Sequence, residues 1–308
     1  MSSTEPIFKD FVYKYSTLSV DHLGELQGFI DGLKREGKLS DNETYRGYLS
    51  GLKFEVPEDF PEARSIIVLA FLNKLMLVNF HLNGENHEVM LPPQYYASGL
   101  TEEKLREIIQ NEIIREPGYR IERTTEVHLK LLAVRSGLAK YGRNNISYVD
   151  GMGSLLMLFA YFTDHPFEDN WTELSMMDEC EDCRICRTLC PTRCIPDENF
   201  VIDVGRCVTL YNEIKGEFPE WIPPDAHNAL MGCMRCQMPC PANREVIDLV
   251  GRLEDVTEEE TVKILDGAPD EELLASLSKK LRNYYPTQSK EYFPIFTRNL
   301  RALLNPEI

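Results

Sequence analysis

Apolar positions in the first half of the chain follow both helical and strand-like patterns. Apolar side chains recur at helical spacing over residues 23–33, which predicts an amphipathic helix. A continuous apolar run over residues 63–72 predicts a buried strand. Asn83-Gly84 separates two further short apolar segments, and this dipeptide favours a tight β-hairpin. Up to about residue 60 the pattern otherwise predicts helices and loops.

The pattern continues with a mixture of helices and strands. Two helices and then two strands are predicted, over residues 101–115, 125–136, 145–149 and 155–162. Gly137 follows the second helix at the position where a glycine often ends one. Together these elements predict an α+β domain over residues 1–170.

The rest of the chain divides at its cysteines. All nine lie between Cys180 and Cys240, so residues 171–245 are predicted to form a separate cysteine-rich domain. Residues 246–308 show helical periodicity and predict a short helical tail that packs against the body.

The charge balance bears on partners and location. The 308 residues carry 50 acidic and 33 basic side chains, which gives a net charge of -17. Nucleic acid normally binds to a basic face and no Lys/Arg-rich run is present, so it is not expected as a partner. The first residues do not resemble an export signal, and no apolar segment is long enough to span a bilayer. We therefore expect a cytoplasmic protein without a membrane partner.

The spacing of the first four cysteines indicates iron–sulfur chemistry. Cys180, Cys183, Cys186 and Cys190-Pro191 match C-x₂-C-x₂-C-x₃-C-P, the bacterial ferredoxin run whose fourth cysteine binds the other cluster. Three thiolates on a tight loop can surround one cubane, while the fourth lies beyond the loop and points to a second cubane. Clustered cysteines in a reducing compartment more often bind metal or do redox chemistry than form disulfides.

A second, incomplete copy of this motif follows. Cys233, Cys236 and Cys240-Pro241 repeat C-x₂-C-x₃-C-P at a uniform offset of 50 residues, and Cys207 is taken to replace the missing first cysteine. The predicted ligand sets are Cys180, Cys183, Cys186 and Cys240 for one [4Fe–4S] cluster, and Cys190, Cys207, Cys233 and Cys236 for the other.

One cysteine is left over, and one other metal has to be considered. Cys194 lies four residues after Cys190 and beside Ile195, which favours a small buried residue next to the cluster. Zinc sites also use C-x₂-C pairs, but the prolines and the interlocked repeat favour iron–sulfur clusters. Two adjacent clusters form an electron relay and not, by themselves, a catalyst.

Over about residues 122–244 the chain resembles the epoxyqueuosine reductases and, more distantly, the corrinoid-dependent reductive dehalogenases. Residues 136–143 (SGLAKYGR) resemble the glycine-containing stretch of those families, and residues 162–164 (FTD) resemble their strand-ending Thr-Asp. Between the clusters, the similar positions are Cys207, Thr209, Leu210, Lys215, Gly216, Gly232 and Cys233. The resemblance implies a nitroreductase-like, corrinoid-binding N-terminal domain joined to a bacterial-ferredoxin-like module.

The resemblance also implies roles for individual residues. The implied corrinoid-binding residues are Gly137, Leu138, Gly142, Arg143, Asn144 and Thr163. The candidate catalytic residues, as proton donors or anion holders, are Arg123, Tyr141, Arg143 and Tyr148. Arg123 stands where the epoxyqueuosine reductases have an Asp, and the tail is shorter than theirs, so a relative with another substrate is expected. His128 could face a pocket, although a position on the helix surface is the simpler interpretation.

Three functions remain open from the sequence. The first is a corrinoid-dependent reductase, in which two [4Fe–4S] clusters pass electrons from ferredoxin or flavodoxin to cobalamin for reduction of a small molecule. The second is a non-catalytic electron-transfer protein that reduces the corrinoid of a partner protein. The third is an epoxyqueuosine reductase that acts on tRNA, which the acidic charge disfavours. Corrinoid absorption and salt-sensitive tRNA binding would separate the three.

Overall fold

The computed structural model describes residues 11–304. In chain order the strands are β1 (Tyr13–Ser19), β2 (Ser65–Leu72), β3 (Leu75–Leu82), β4 (Glu85–Leu91), β5 (Ile121–Thr124), β6 (Lys140–Tyr141), β7 (Ser147–Tyr148), β8 (Leu156–Thr163) and β9 (Val250–Arg252). The α-helices are α1 (Leu23–Arg35), α2 (Glu43–Ser50), α3 (Glu102–Ile108), α4 (Leu129–Arg135), α5 (Ile185–Thr188), α6 (Val208–Glu213), α7 (Glu258–Asp266), α8 (Glu271–Lys280) and α9 (Phe293–Leu304).

A four-stranded antiparallel sheet in the order β1-β2-β8-β5 forms the centre of the N-terminal half. Strand β2 is buried along nearly its whole length, which confirms the strand predicted over residues 63–72. Successive side chains of a strand point to opposite faces, so a fully apolar strand needs cover on both sides.

Both faces of this sheet carry helices. On one face α1 and α4 pack on Ile66, Val68 and Ala70 of β2. On the other face, α3 and the π-helical turn that continues it pack on the intervening β2 residues. Thr101 caps α3, and the π turn ends at Arg115 in the left-handed conformation, so α3 and this turn together cover the helix predicted over residues 101–115.

A second sheet joins the predicted hairpin to the tail. Strands β3 and β4 pair through the turn at Asn83 and Gly84, both with positive φ, which confirms the hairpin. Strand β9 pairs parallel with β3, and helices α7, α8 and α9 share an apolar core with this sheet. The tail therefore contributes a strand as well as helices. The predicted division at residues 170 and 245 stays a prediction, but the hairpin packs with the tail across it.

Three local predictions were wrong or incomplete. β1 lies in the segment predicted as helices and loops, and it is an edge strand with only part of its length buried. The helix predicted from residue 125 begins at Leu129, because His128 accepts a hydrogen bond from Leu131 N and caps it there. The strand predicted over residues 145–149 is reduced to the two residues of β7. Among residues 11–304, no helix has the length and apolar character needed to cross a bilayer.

Candidate iron–sulfur centres and the adjoining cavity

The cysteine segment has little regular structure, so short turns position the thiols. Cys180 ends a 3-10 turn, Cys186 lies on the four-residue helix α5, and Cys207 precedes α6. Pro191 and Pro241 directly follow Cys190 and Cys240, and a proline there ends the preceding turn because it lacks an N–H group. Backbone hydrogen bonds within these turns, such as the one from Cys190 N to the carbonyl oxygen of Arg187, fix the loops locally.

The first predicted ligand set comes together in space. Cys240 lies with Cys180 in one apolar cluster, although 60 residues separate them in the sequence. Burial, and then the nearby charges of Cys180 and Cys240, raise the pKa of Cys186 to about 11. Bound iron has to replace that proton, because the metal ligand is the thiolate.

The second predicted ligand set surrounds a cavity of about 250 Å³. Its four thiols all line this cavity: Cys190, Cys207, Cys233 and Cys236. Burial, and then the charges of Cys207 and Cys190, raise the pKa of Cys233 to about 12. Four thiols around one space fit a [4Fe–4S] cluster, which takes four cysteine ligands. The structure therefore has the two groups that the interleaved assignment requires, and the assignment itself stays a prediction.

Arg143 and Asn144 tie the N-terminal half to both thiol sets. The buried Arg143 guanidinium donates to the carbonyl oxygens of Cys180 and Cys183, so it holds the first cysteine loop. Asn144 Nδ2 lies 2.9 Å from the Tyr148 hydroxyl and 3.4 Å from the carbonyl oxygen of Cys236. In this position the two residues orient the ligand loops.

The predicted catalytic residues do not form one site. Tyr148 is buried, and its hydroxyl lies within hydrogen-bonding reach of the Cys240 thiol. Tyr141 is buried with its ring stacked 4.4 Å from that of Phe200. Arg123 lies on the α3 side of the sheet, where it pairs with Glu102 at 3.4 Å, away from the thiols. Arg123 is therefore not brought together with the other three.

The predicted corrinoid-binding residues do not share one cavity either. Gly137 and Leu138 line a cavity of about 580 Å³ together with Tyr148. Asn144 lines the thiol cavity instead. Thr163 ends β8, where its hydroxyl accepts a hydrogen bond from His165 N. These residues do not fit a single corrinoid, and the corrinoid stays a prediction from the resemblance.

Partly buried titratable side chains line the thiol cavity, and the sequence did not predict two of them. Burial lowers the pKa of Lys130 to about 8, and its Nζ donates to the carbonyl and side-chain oxygens of Asn145, both at 2.8 Å. Burial lowers the pKa of His128 to about 4 and raises that of Glu213, to which the Tyr95 hydroxyl donates. The sequence signal that was available for Lys130 is its position as a charged residue between Leu129 and Leu131.

A second cavity of about 460 Å³ adjoins the first. The two cavities share Tyr48 and Glu213, so they meet at these side chains. The second cavity is lined by aromatic rings and side-chain amides, among them Tyr95, Tyr96, Tyr285, Gln94, Asn283 and Gln288. Rings that can stack and amides that can donate and accept suit a flat, polar ligand.

Cys194 is buried, as predicted, but it also touches the second thiol set. Its Sγ lies 3.5 Å from that of Cys190, and it contacts Cys207 as well. The hydrogen bond from Cys194 lowers the pKa of Cys190 to about 5.

Comparison with known proteins supports the iron–sulfur interpretation. Residues 179–243 match the family model described as a 4Fe-4S double cluster binding domain, which supports two clusters. The chain is similar to the epoxyqueuosine reductase of Staphylococcus aureus, with 26% identity over 79% of this chain and 66% of that protein. It is 32% identical to the epoxyqueuosine reductase of Escherichia coli over 37% of this chain and 29% of that protein.

The fold agrees with these relatives. A crystal structure of epoxyqueuosine reductase with a tRNA-Tyr epoxyqueuosine-modified tRNA stem loop superposes with a TM-score of 0.65. The two chains share 18% sequence identity, and the match covers 95% of this chain and 77% of that one.

The chain spans less than two thirds of the length of the curated relatives named above. The mixed α and β fold and the two-cluster domain are confirmed, while the nitroreductase-like label stays a prediction. The chain is therefore a relative of the epoxyqueuosine reductases that shares their fold and carries a 4Fe-4S double cluster binding domain.

Proposed function

We propose that the chain is an iron–sulfur reductase whose substrate binds beside the second thiol set. The observation that carries this proposal is the shared cavity: the four thiols of this set and the partly buried side chains of His128, Lys130 and Glu213 line the same space. When bound, the two [4Fe–4S] clusters supply one-electron transfer at low potential. A concave site with several perturbed titratable groups next to an electron source is the arrangement expected of a reductase.

The chain's own cysteines would hold the clusters in the interleaved sets. Cys180, Cys183, Cys186 and Cys240 hold the first cluster, and Cys190, Cys207, Cys233 and Cys236 hold the second. Arg143 and Asn144 fix the two loops relative to each other, which keeps the distance between the electron carriers constant. A ferredoxin or flavodoxin is the proposed electron donor.

Lys130 is the proposed proton donor for the reduced substrate. Its ammonium group faces the cavity, and the oxygens of Asn145 fix its position. A pKa of about 8 leaves it mostly protonated at neutral pH and still acidic enough to release a proton. Glu213, at the junction of the two cavities, is the proposed group that returns a proton to Lys130, since burial raises the pKa of its carboxyl and favours the protonated form.

The proposed substrate class is a flat, polar heterocycle such as a modified nucleobase. The adjoining cavity offers tyrosine rings for stacking and amides for the edge of a base, which is how proteins bind unstacked bases. Its volume of about 460 Å³ lies within the usual range of about 300–1,000 Å³ for ligand sites. The names of the relatives point to the same class, since they are epoxyqueuosine reductases.

The expectation against nucleic acid has to be corrected. It rested on the acidic charge, yet a similarly folded epoxyqueuosine reductase has been solved with a tRNA stem loop. RNA is therefore a candidate substrate of this chain, next to a free small molecule with the same ring. Because the net charge is -17, RNA binding would depend on a local surface and not on the overall field.

The experiment compares a free nucleoside with a tRNA stem loop, which carry the same heterocyclic ring. Anaerobically reconstituted protein with a chemical reductant is given epoxyqueuosine as the free nucleoside or within a tRNA stem loop, each with and without added cobalamin. Mass spectrometry measures the reduced product, and we expect product from at least one source. Lys130→Met should lower the rate at least tenfold, whereas Lys140→Met, at an exposed lysine, should not. The cobalamin arms test the corrinoid that the resemblance implies.

Absence of product in every arm would overturn the reductase proposal. If the same preparation then reduced an added corrinoid protein, the non-catalytic electron carrier would be the correct function. The two results cannot be confused, because the first measures a substrate product and the second the absorption of the partner's corrinoid.

Replacing Cys240 with serine tests the interleaved ligand sets. We expect loss of the first cluster alone, so that iron falls from about eight to about four atoms per chain and one paramagnetic signal disappears. Cys233→Ser is the matched variant and should remove the other signal. Loss of the same signal in both variants would show that Cys233 and Cys240 serve one cluster.

A further inference from the structure

Five thiols, and not four, surround the space of the second cluster. The predicted ligands Cys190, Cys207, Cys233 and Cys236 line the cavity, and Cys194 lines it as well. A [4Fe–4S] cluster takes four cysteine ligands, so one thiol of this group has no iron to bind. Cys194 is the thiol that belongs to neither predicted ligand set, since Cys207 is taken as the substitute for the missing first cysteine of the second motif.

The position of Cys194 is fixed, and almost none of the residue is exposed. It is 5% exposed and lies in an apolar cluster with Ile195 and Ile202. Its carbonyl oxygen accepts a hydrogen bond of 2.9 Å from Asp203 N, which holds the backbone at this point.

The acceptors within reach are the ligand sulfurs. The Sγ atoms of Cys194 and Cys190 are 3.5 Å apart, and Cys207 is also in contact. A thiol is a weak donor, but a hydrogen bond becomes stronger when its acceptor is charged. A ligand thiolate is such an acceptor, and the one remaining S–H group nearby belongs to Cys194.

We propose that the Cys194 thiol donates a hydrogen bond to the ligand sulfur of Cys190 and thereby raises the reduction potential of the second cluster. Reduction adds negative charge, and a donor aimed at the ligand sulfur stabilises that charge. We expect the effect on the second cluster, because Cys194 has sulfur contacts with Cys190 and Cys207 of that set, whereas Cys186 of the first set shares its apolar cluster without a hydrogen bond to it. It favours electron flow from the first cluster to the second, where the substrate cavity lies. Cys194 is thus a positioning residue, and this inference rests on the proposed two-cluster relay.

The test is an anaerobic redox titration of the reconstituted protein, followed by paramagnetic resonance. In Cys194→Ala, the potential of the second cluster should shift to a more negative value while that of the first stays unchanged. Cys194→Ser restores a donor of similar size and should recover part of the shift. Ile195→Val, in the same apolar cluster, controls for altered packing and should leave both potentials unchanged.

Two results would overturn the inference. The first is an unchanged potential of the second cluster in Cys194→Ala. The second is loss of about four iron atoms in Cys194→Ala, which would make Cys194 a ligand. Failure of the relay itself is recognised separately, because the unaltered protein would then bind about four iron atoms instead of eight.

Discussion

Arg143 shows how a single side chain can control a metal site without touching the metal. Its guanidinium holds two carbonyl oxygens of the first cysteine loop. Arg143→Lys keeps the charge but cannot reach both carbonyls with one ammonium group. We expect the first cluster to be lost or labile, with iron falling towards about four atoms per chain and a loss of stability of about 1.5–3 kcal/mol.

Arg135→Lys is the matched control for this prediction. Arg135 is also largely buried and also donates to a carbonyl oxygen, that of Thr172, but it lies on α4 away from the thiols. Iron content and thermal unfolding of both variants give the answer. Full occupancy of both clusters in Arg143→Lys would show that the first cysteine loop keeps its shape without the two hydrogen bonds from Arg143.

The protonation of Lys130 predicts a pH dependence. A proton donor works in its protonated form, so the rate of substrate reduction should fall as pH rises through the pKa of Lys130. Burial lowers this pKa to about 8 in the iron-free protein, and the negative charge of a cluster bound in the same cavity would raise it. Lys130→Arg keeps a cation that does not titrate, so this decline should disappear. A decline that persists in Lys130→Arg would assign it to another group.

The sequence predicted the metal ligands far better than the cavity beside them. Cysteine spacing is a local signal with few alternative meanings, so all eight ligands could be proposed from the chain alone. The cavity is built differently, because Tyr48, Lys130 and Glu213 come from helices far apart in the sequence. Only folding brings them together, and each alone resembles an ordinary helix residue.

At the scale of elements, the turn between β7 and β8 connects the sheet to the second cysteine run. Gly153 has a φ of 57°, and a Cβ at this position would meet the Asn243 side chain and lie 2.8 Å from Val246 Cγ2. Asn243 in turn accepts from Ser154 N and donates to the Gln237 carbonyl oxygen, just before Cys240. Crowding this glycine therefore disturbs the segment that carries a ligand.

A pair of alanine substitutions separates crowding from backbone strain. Gly151 has a φ of 68°, and an added Cβ would meet nothing within 4 Å, so Gly151→Ala should cost only the left-handed strain of about 1–2 kcal/mol. Gly153→Ala should cost about 1–3 kcal/mol more, because the interior is already filled. Urea unfolding of the two cluster-loaded variants measures the difference, and equal losses would contradict the crowding.

Elements with a strong local pattern were predicted, and those defined by their partners were not. The apolar β2 and the Asn83-Gly84 hairpin carry their own signals. Strand β1 pairs at the edge of its sheet and alternates only weakly, and the three residues of β9 become a strand because β3 lies beside them. A strand of three residues has no periodicity to detect, so its pairing could not be foreseen.

At the scale of the whole molecule, the apolar cores and the thiols are separate. Within residues 11–304, the cores on the two faces of the first sheet and the core around the second sheet contain no cysteine. Three small apolar clusters of the cysteine segment, by contrast, consist partly of the thiols themselves, and a fourth, around Ala229 and Met234, has no thiol and joins the segment to Leu75 and Leu155. The cysteine segment should therefore depend on bound iron, whereas the two sheets should not.

Removal of iron tests this separation. The iron is removed by oxidation and chelation, and the thiols are then returned to their reduced form. In this iron-free protein, hydrogen exchange should rise in residues 178–245 and stay low in β2 and β8. The physical reason is that β2 and β8 are protected by apolar burial and by a full antiparallel ladder, neither of which involves a thiol. Exchange that rises equally in β2 and in the cysteine segment would mean that the clusters hold the whole molecule together. In that case the N-terminal half would not be an independent support for the site, and loss of activity on cluster removal would report unfolding instead of lost electron transfer.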